Sequence, residues 1–209
     1  MGYVLAVLMG YLLGSSNLAY FISRRRKMDL TAGGSGNLGA SNAVVLMGWK
    51  AGVAVAVHDA GKALLAVILA RVLFPELLHV GAMAGVASVL GHIFPFYLKF
   101  RGGKGFASYV GMTIGLNWKL ALIVLAVVVL VTVITDYIVV GTTTTIVAVP
   151  VSLGILHHSL MLPLILLIAT AVILVKHREN YPRIWNGTEI GLRSAIRGDH
   201  RKNTSEKKQ

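Results

Sequence analysis

The chain has 209 residues, of which 56% are hydrophobic and only 13% charged, and its formal net charge is +12. At a mean hydropathy of +0.73 it departs from a soluble domain, where about 45–50% apolar and about 25% charged residues are usual, so lipid must serve as part of its solvent. The lack of cysteine excludes disulfides and thiolate metal sites, and the absence of a basic soluble module argues against a nucleic-acid partner.

Residues 2–22 are the first apolar stretch. No basic region precedes it and no small-residue cleavage pattern follows, so it reads as a retained transmembrane helix with its N-terminus outside, not a signal peptide. Arg24, Arg25, Arg26 and Lys27 then put the first loop inside. Residues 43–74 form a long apolar stretch, interrupted by His58, Asp59 and Lys62, and read as one tilted or broken crossing. The poorly charged 75–79 connection lies outside. Val80–Leu98 returns the chain to the basic run Lys99 to Lys104. Phe106–Leu116 is short. Trp118–Thr135, 137–156 and 159–175 follow, and the basic segment from Lys176 is again cytoplasmic. An even number of crossings must separate Lys104 from Lys176, which makes Phe106–Leu116 a short span and puts Asp136 inside. The alternative is a re-entrant Phe106–Leu116, which lowers the count and moves the Asp136 turn across.

The expected fold class is therefore all-α: a polytopic integral membrane helix bundle of about seven transmembrane helices, N-out and C-in. Residues 1–191 form a single transmembrane domain. Residues 192–209, polar and of both charge signs, form a basic cytoplasmic tail expected to be disordered or to lie on the membrane surface.

Three polar elements collect on the cytoplasmic side. Gly33, Gly34, Ser35, Gly36, Asn37, Leu38, Gly39, Ala40, Ser41 and Asn42 run into an apolar helix. Glycines let backbone N–H groups turn toward an anion, and the helix start adds partial positive charge. Taken alone, the same residues also read as a flexible turn with Asn42 as an N-cap. The second element is Lys99, Phe100, Arg101, Gly102, Gly103, Lys104 and Gly105, where the Lys104 ammonium could meet an anion also held by amides. A positive-inside lysine in a tight turn is the plain reading. His92 sits upstream in an apolar helix, where a lone histidine is more often a packing residue. The third is Lys176, His177, Arg178, Glu179 and Asn180, with His177 and Asn180 on one face of a helical continuation. A stop-transfer cluster would look the same. Thr142 to Thr145 place hydroxyls inside an apolar span, and Asp59 and Lys62 are spaced to pair across one turn. No carboxylate–histidine cluster suggests a metal, and no cofactor is implied.

In order and separation, residues 34–42, 91–108 and 177–189 resemble the bacterial acyl-phosphate:glycerol-3-phosphate acyltransferases, the PlsY type. The stretch from Gly91 and His92 through Phe94 and Pro95 to Gly102, Gly103, Lys104 and Gly105 is the most specific. The resemblance implies a small seven-helix protein of the cytoplasmic membrane with its site facing the cytoplasm. It implies transfer of a fatty acyl group from acyl phosphate to the 1-hydroxyl of glycerol 3-phosphate, giving lysophosphatidic acid and phosphate for phospholipid synthesis. The partners are then those two substrates and the bilayer. The catalytic residues would be Lys104, His177 and Asn180. Substrate binding would fall to Ser35, Gly36, Asn37, Gly39, Ser41, Asn42, His92, Arg101, Gly102, Gly103, Gly105, Thr142, Arg178 and Glu179. The family usually shows an arginine where this chain has Val45, serines where it has Val139 and Thr142, and threonine at Ser41.

No histidine is followed five positions later by aspartate, and acyl phosphate already carries a good leaving group. Direct attack by the acceptor hydroxyl, without an acyl-enzyme, is the expected mechanism. The small residues Gly81, Ala82, Ala84, Gly85 and Ala87 suit close helix packing first and an acyl groove second. Two other readings stay open: a transporter of a phosphorylated metabolite, and a diverged paralogue with another acceptor or weak activity.

Overall fold

The computed structural model describes residues 1–197. It is helical, with no strand among the described residues. In chain order the helices are α1 (Gly2–Ser15), α2 (Leu18–Arg25), α3 (Ala40–Met47), α4 (Trp49–Leu73), α5 (Val80–Ile93), α6 (Phe106–Leu116), α7 (Trp118–Thr135), α8 (Ile138–Leu156), α9 (Met161–His177), α10 (Asn180–Trp185) and α11 (Leu192–Arg197).

Gly2–Arg25, Trp49–Leu73, Val80–Leu98, Trp118–Thr135 and Ile138–Leu156 are long and apolar enough to cross a bilayer, and Phe106–Leu116 and Met161–His177 are shorter apolar helices. The outer face of α7 leaves Leu122, Ile123, Val129, Leu130, Val133 and Ile134 exposed. A patch of that kind on a soluble protein would drive association, whereas lipid accepts it. The chain is an integral membrane protein.

Glycine lets α1 and α5 approach closely. A methyl group at Gly14 would lie 2.0 Å from the Ser88 carbonyl oxygen, and one at Gly91 would lie 2.3 Å from that of Tyr11. In lipid, where no hydrophobic force drives helices together, such backbone proximity is what holds them. Gly81 and Gly85 serve packing too, facing the Arg71 and Met112 side chains.

With 11 residues, α6 is about 16 Å long, roughly half the thickness of a hydrocarbon core. It survives because protein surrounds it. Ser108 to Thr113 are all buried, and Arg71 donates from Nη1 to the Gly115 carbonyl at 2.7 Å and from Nη2 to that of Leu116 at 3.5 Å. Helix-end carbonyls that lipid would leave unpaired are thereby satisfied.

One sequence expectation needs correction and two others take a definite form. The stretch 2–22 is not one helix: it breaks at Ser16 and Asn17, and Asn17 caps α2 by accepting from the Tyr20 N–H at 2.8 Å. The stretch 43–74 breaks at Gly48, whose φ of 89° no L-residue adopts easily, and α4 runs unbroken through Asp59 and Lys62. Lastly, residues 192–197, the start of the expected tail, form α11. The Leu192 N–H donates to the Asp136 carbonyl at 2.7 Å and the Arg193 N–H to Asp136 Oδ1 at 2.8 Å, so the turn between α7 and α8 anchors the start of that helix. The remainder of the expected tail, 198–209, lies outside the described residues.

The connections sort into two sets. At one end Leu38 meets Gly102, Lys104 meets Asn180, Thr143 meets Tyr181, and Leu192 meets Asp136. At the other, Tyr3 donates to the Leu78 carbonyl at 3.2 Å and Ser159 lies 3.3 Å from His79 Nε2. All three polar elements of the sequence belong to the first end.

Candidate active site

Asn42, in the first turn of α3, organises the first polar loop. Its Oδ1 accepts from the Ser35 N–H at 2.9 Å, and its Nδ2 donates to the carbonyls of Leu30 and Asn37, each at 2.9 Å. Buried to 1% exposure, Asn42 therefore shapes the loop from beneath. Asn37 adds two local bonds, from Nδ2 to Ser35 Oγ and from the Gly39 N–H to its own Oδ1. Ser35 and Gly36 sit exposed on the turn, and Ser41 is exposed on α3. Val45 faces the same turn, 3.6 Å from where a methyl group on Gly34 would lie.

The second loop folds back onto the end of α5. Gly102 and Gly103 donate to the carbonyls of Ile93 and His92 at 3.0 and 3.2 Å, meeting groups the helix end leaves unpaired. A side chain is excluded there: a methyl group on Gly103 would lie 2.1 Å from His92 Nε2. Gly105, at φ 96°, then turns the chain into α6. The two loops adjoin: a methyl group on Gly39 would lie 3.9 Å from the Gly103 Cα, and the Leu38 N–H points at the Gly102 carbonyl.

Lys104 projects from the second loop to Asn180, donating from Nζ to Oδ1 at 2.5 Å. Asn180 Nδ2 donates to Glu189 Oε1, and Glu189 Oε2 accepts from Arg183 Nε at 2.9 Å. Burial pushes the Lys104 ammonium below the ordinary lysine value. The Arg183 charge pushes the same way, and Glu189 and Glu179 oppose it. His177, one turn before Asn180, is buried and has Nδ1 2.9 Å from the Ile173 carbonyl. A carbonyl only accepts, so Nδ1 carries a proton, and in the neutral ring Nε2 keeps its lone pair.

Beneath these loops lies a buried ion cluster. Lys62 Nζ is 2.9 Å from Asp59 Oδ1 and donates to the Ser16 carbonyl at 2.6 Å. His92 Nδ1 lies 3.0 Å from Lys62 Nζ and 3.3 Å from Asp59 Oδ1. The sequence pairing of Asp59 with Lys62 is thus present, and His92 belongs to that pair, with its other ring nitrogen backing Gly103.

Of the residues singled out in the sequence, Lys104, Asn180, His177 and the glycines 102, 103 and 105 converge, and the first loop abuts them through Gly39. Arg101, Arg178 and Glu179 are exposed at the rim. The structure does not join Thr142 to the Lys104 network. It is buried on α8, where its carbonyl accepts from Thr145 Oγ1 at 2.9 Å; the neighbouring Thr143 reaches Tyr181 at 2.8 Å instead. Sequence reasoning missed Glu189 and Arg183 as members of the network. The available signal was an acidic residue within a basic, solvent-facing exit. Among the described residues no three His, Asp or Glu side chains are arranged to hold a metal ion.

This combination, an apolar helical bundle with cations, amides and hydroxyls gathered at one end, defines a membrane protein that handles an anionic, phosphate-like group. The sequence profile of the glycerol-3-phosphate acyltransferase family matches residues 4–187. A protein of Coxiella burnetii (strain CbuG_Q212) named glycerol-3-phosphate acyltransferase is 39% identical over 190 residues, 90% of this chain and 97% of that one. One of the same name from Thermoanaerobacter pseudethanolicus (strain ATCC 33223 / 39E) is 38% identical over 191 residues, 90% and 95% of the two chains. A solved structure of PlsY (YgiH), an integral membrane glycerol 3-phosphate acyltransferase in its glycerol 3-phosphate form, is similar with a TM-score of 0.86 at 29% identity, over 92% of this chain and 96% of that one. The lysophosphatidic acid form of PlsY gives a TM-score of 0.82 over 91% and 95%. The chain belongs to the glycerol-3-phosphate acyltransferase family.

Proposed function

We propose that this chain transfers a fatty acyl group from acyl phosphate to the 1-hydroxyl of glycerol 3-phosphate, yielding lysophosphatidate and inorganic phosphate. The site would face the cytoplasm from a seven-crossing, N-out and C-in bundle in the cytoplasmic membrane. The observation that carries the reading is the Lys104–Asn180 bond, which joins segments far apart in sequence beside a loop of close-packed glycines. Family membership supplies the reaction class.

In this reading the acceptor hydroxyl oxygen attacks the acyl carbonyl carbon, the carbon–oxygen bond to the phosphoryl group breaks, and phosphate departs. The hydroxyl proton goes to the phosphate or to His177 Nε2, which the Ile173 carbonyl leaves as the ring's acceptor. Lys104 and loop amides around Ser35, Gly36, Gly39, Gly102 and Gly103 stabilise charge on the phosphoryl groups and the developing oxyanion. Asn180, held by Glu189, orients the Lys104 ammonium. No covalent intermediate is needed, because phosphate already leaves easily; positioning and electrostatics supply the rate.

The test uses purified protein with acyl phosphate and glycerol 3-phosphate, reading phosphate release. Release that depends on the acceptor is expected, and Lys104→Ala should lower the rate about 100- to 1,000-fold, the usual loss for one oxyanion-stabilising donor, while helical content persists. Absence of release together with flux across vesicles would replace the enzyme by a transporter. Val45 favours one variation, because its methyl groups line the first loop. The assay is therefore run also with other phosphorylated polyols and with Val45→Arg, and a gain for glycerol 3-phosphate in that variant would mark the wild-type chain as serving another acceptor.

A further inference from the structure

Asp59, Lys62 and His92 form an ionic cluster inside the membrane, with exposures of only 1%, 6% and 3%. Ions inside a bilayer are costly, and well-packed apolar residues would hold the helices as well as a buried ion pair does. The geometry gives the cluster another use. An ammonium has three N–H bonds and no lone pair. Lys62 Nζ has three acceptors around it: the Ser16 carbonyl at 2.6 Å, Asp59 Oδ1 at 2.9 Å and His92 Nδ1 at 3.0 Å. A proton on His92 Nδ1 would face an ammonium proton across the last of these. The contact therefore requires a lone pair on Nδ1, which in the neutral ring puts the proton on Nε2. Asp59 Oδ1, at 3.3 Å from Nδ1, is the more distant neighbour of that nitrogen.

Nε2 lies on the side of the second loop. A methyl group on Gly103 would come within 2.1 Å of it, so it faces a glycine carbon, which accepts nothing. The Gly103 N–H is itself a donor, to the His92 carbonyl at 3.2 Å. Among the described residues no hydrogen bond engages Nε2. Lys104 follows Gly103 in the chain, and the first loop approaches Gly103 through Gly39. A buried side chain thus holds a donor without an acceptor where the two polar loops adjoin. Leaving such a donor unpaired is unfavourable, and a ligand oxygen would satisfy it.

We propose that His92 Nε2–H donates to a phosphoryl oxygen bound between the two loops, and that Lys62 and Asp59 are positioning residues that hold the ring in the donating tautomer. The proposal rests on the acyl-phosphate reading given above, in which both substrates carry a phosphoryl group.

Nitrogen-15 NMR of histidine-labelled full chain in nanodiscs reads the tautomer, the His92 signals being assigned by their loss in His92→Gln. A neutral ring with its proton on Nε2 is expected, and its Nε2 signal should move on adding inorganic phosphate or glycerol 3-phosphate. A proton on Nδ1, or an Nε2 signal that neither anion moves, overturns the proposal. This measurement needs no turnover, so it is separate from the acyl-transfer assay, whose failure would defeat the function above.

Kinetics then distinguishes a donor from a packing ring. His92→Phe keeps the ring and should lower kcat/KM about 100-fold, as for loss of one such donor. His92→Gln keeps an N–H at similar reach and should recover most of that loss. The substrate whose KM rises, palmitoyl phosphate or glycerol 3-phosphate, is the one whose phosphoryl group His92 meets. A phenylalanine variant no worse than the glutamine one overturns the donor role. Asp59→Leu combined with Lys62→Met removes both charges and leaves neither ion unpaired. It should mix the tautomers and lower kcat/KM about tenfold, the lower end for groups that orient a working histidine, with helical content unchanged. A single tautomer or wild-type rates in that variant would overturn the positioning role.

Discussion

Lys104 illustrates how one residue's environment sets its chemistry. A surface lysine would bind phosphate weakly through water, whereas Lys104 is half-buried, fixed by Asn180, and held below the usual lysine pKa by burial and by Arg183. The sign of the consequence follows directly. Its folded-state pKa is depressed, so raising the pH removes the ammonium earlier than it would from a free lysine, whose value is about 10.4. In the substrate complex the phosphate dianion favours the charged form again. The alkaline fall should therefore appear in kcat/KM for the acceptor, which reports the free enzyme, more than in kcat. A Lys104→Arg variant, charged throughout, should lose that fall in whatever activity it retains. A wild-type profile that stays flat up to the ordinary lysine range would remove Lys104 from acceptor binding.

Loops become a site here because single side chains brace them from below. Asn42 braces the first loop through bonds to Leu30, Ser35 and Asn37, and His92 braces the second through Gly103. Asn42→Ala removes three hydrogen bonds, each worth about 0.5–1.5 kcal/mol, from a loop otherwise anchored by the buried Leu30 and Leu38. Amide exchange over residues 30–39 should accelerate and KM for the acceptor should rise about tenfold, the equivalent of about 1.4 kcal/mol, with a smaller loss in kcat. Unchanged exchange would show that the helix start alone shapes the loop. Asn42 also marks what the sequence made legible. Its position before an apolar helix announced a capping-type residue, and the glycines announced a tight turn. That its amide turns inward depends on Leu30 and Asn37 folding back over it, which spacing along the chain does not encode. The helix break at Ser16 and the position of the one at Gly48 were hidden for a similar reason: hydropathy reports whether a stretch suits lipid, not where its helix is interrupted. Glu189 is not singled out by the sequence as a site residue because its partners, Asn180 and Arg183, are set by the turn after α10.

At the scale of the whole molecule, charge and the grouping of the polar loops agree. The basic residues Arg24, Arg25, Arg26, Lys27, Lys99, Arg101, Lys104, Arg178 and Arg183 belong to the end where the polar loops meet. Among the described residues the far end carries Arg71 and Lys119, and Arg71 is tied to the carbonyls that end α6. Such asymmetry orients a membrane protein with its basic end toward the cytoplasm. It also concentrates positive potential where a phosphorylated acceptor would arrive. In the proposed reading one property would serve insertion and substrate capture together, and the two uses separate experimentally. The natural chain has no cysteine, so single cysteines can be introduced cleanly. In oriented vesicles, an impermeant maleimide should reach Ser35→Cys and Asn186→Cys from the cytoplasmic face alone, and Leu78→Cys and His158→Cys from the opposite face alone. Ser35 and Asn186 labelling from opposite faces would break the site in two, because the first loop and the segment that carries Asn180 could then not share a phosphate. If they label together but from the outer face, the site survives, and the basic residues would have to be retained for substrate capture alone.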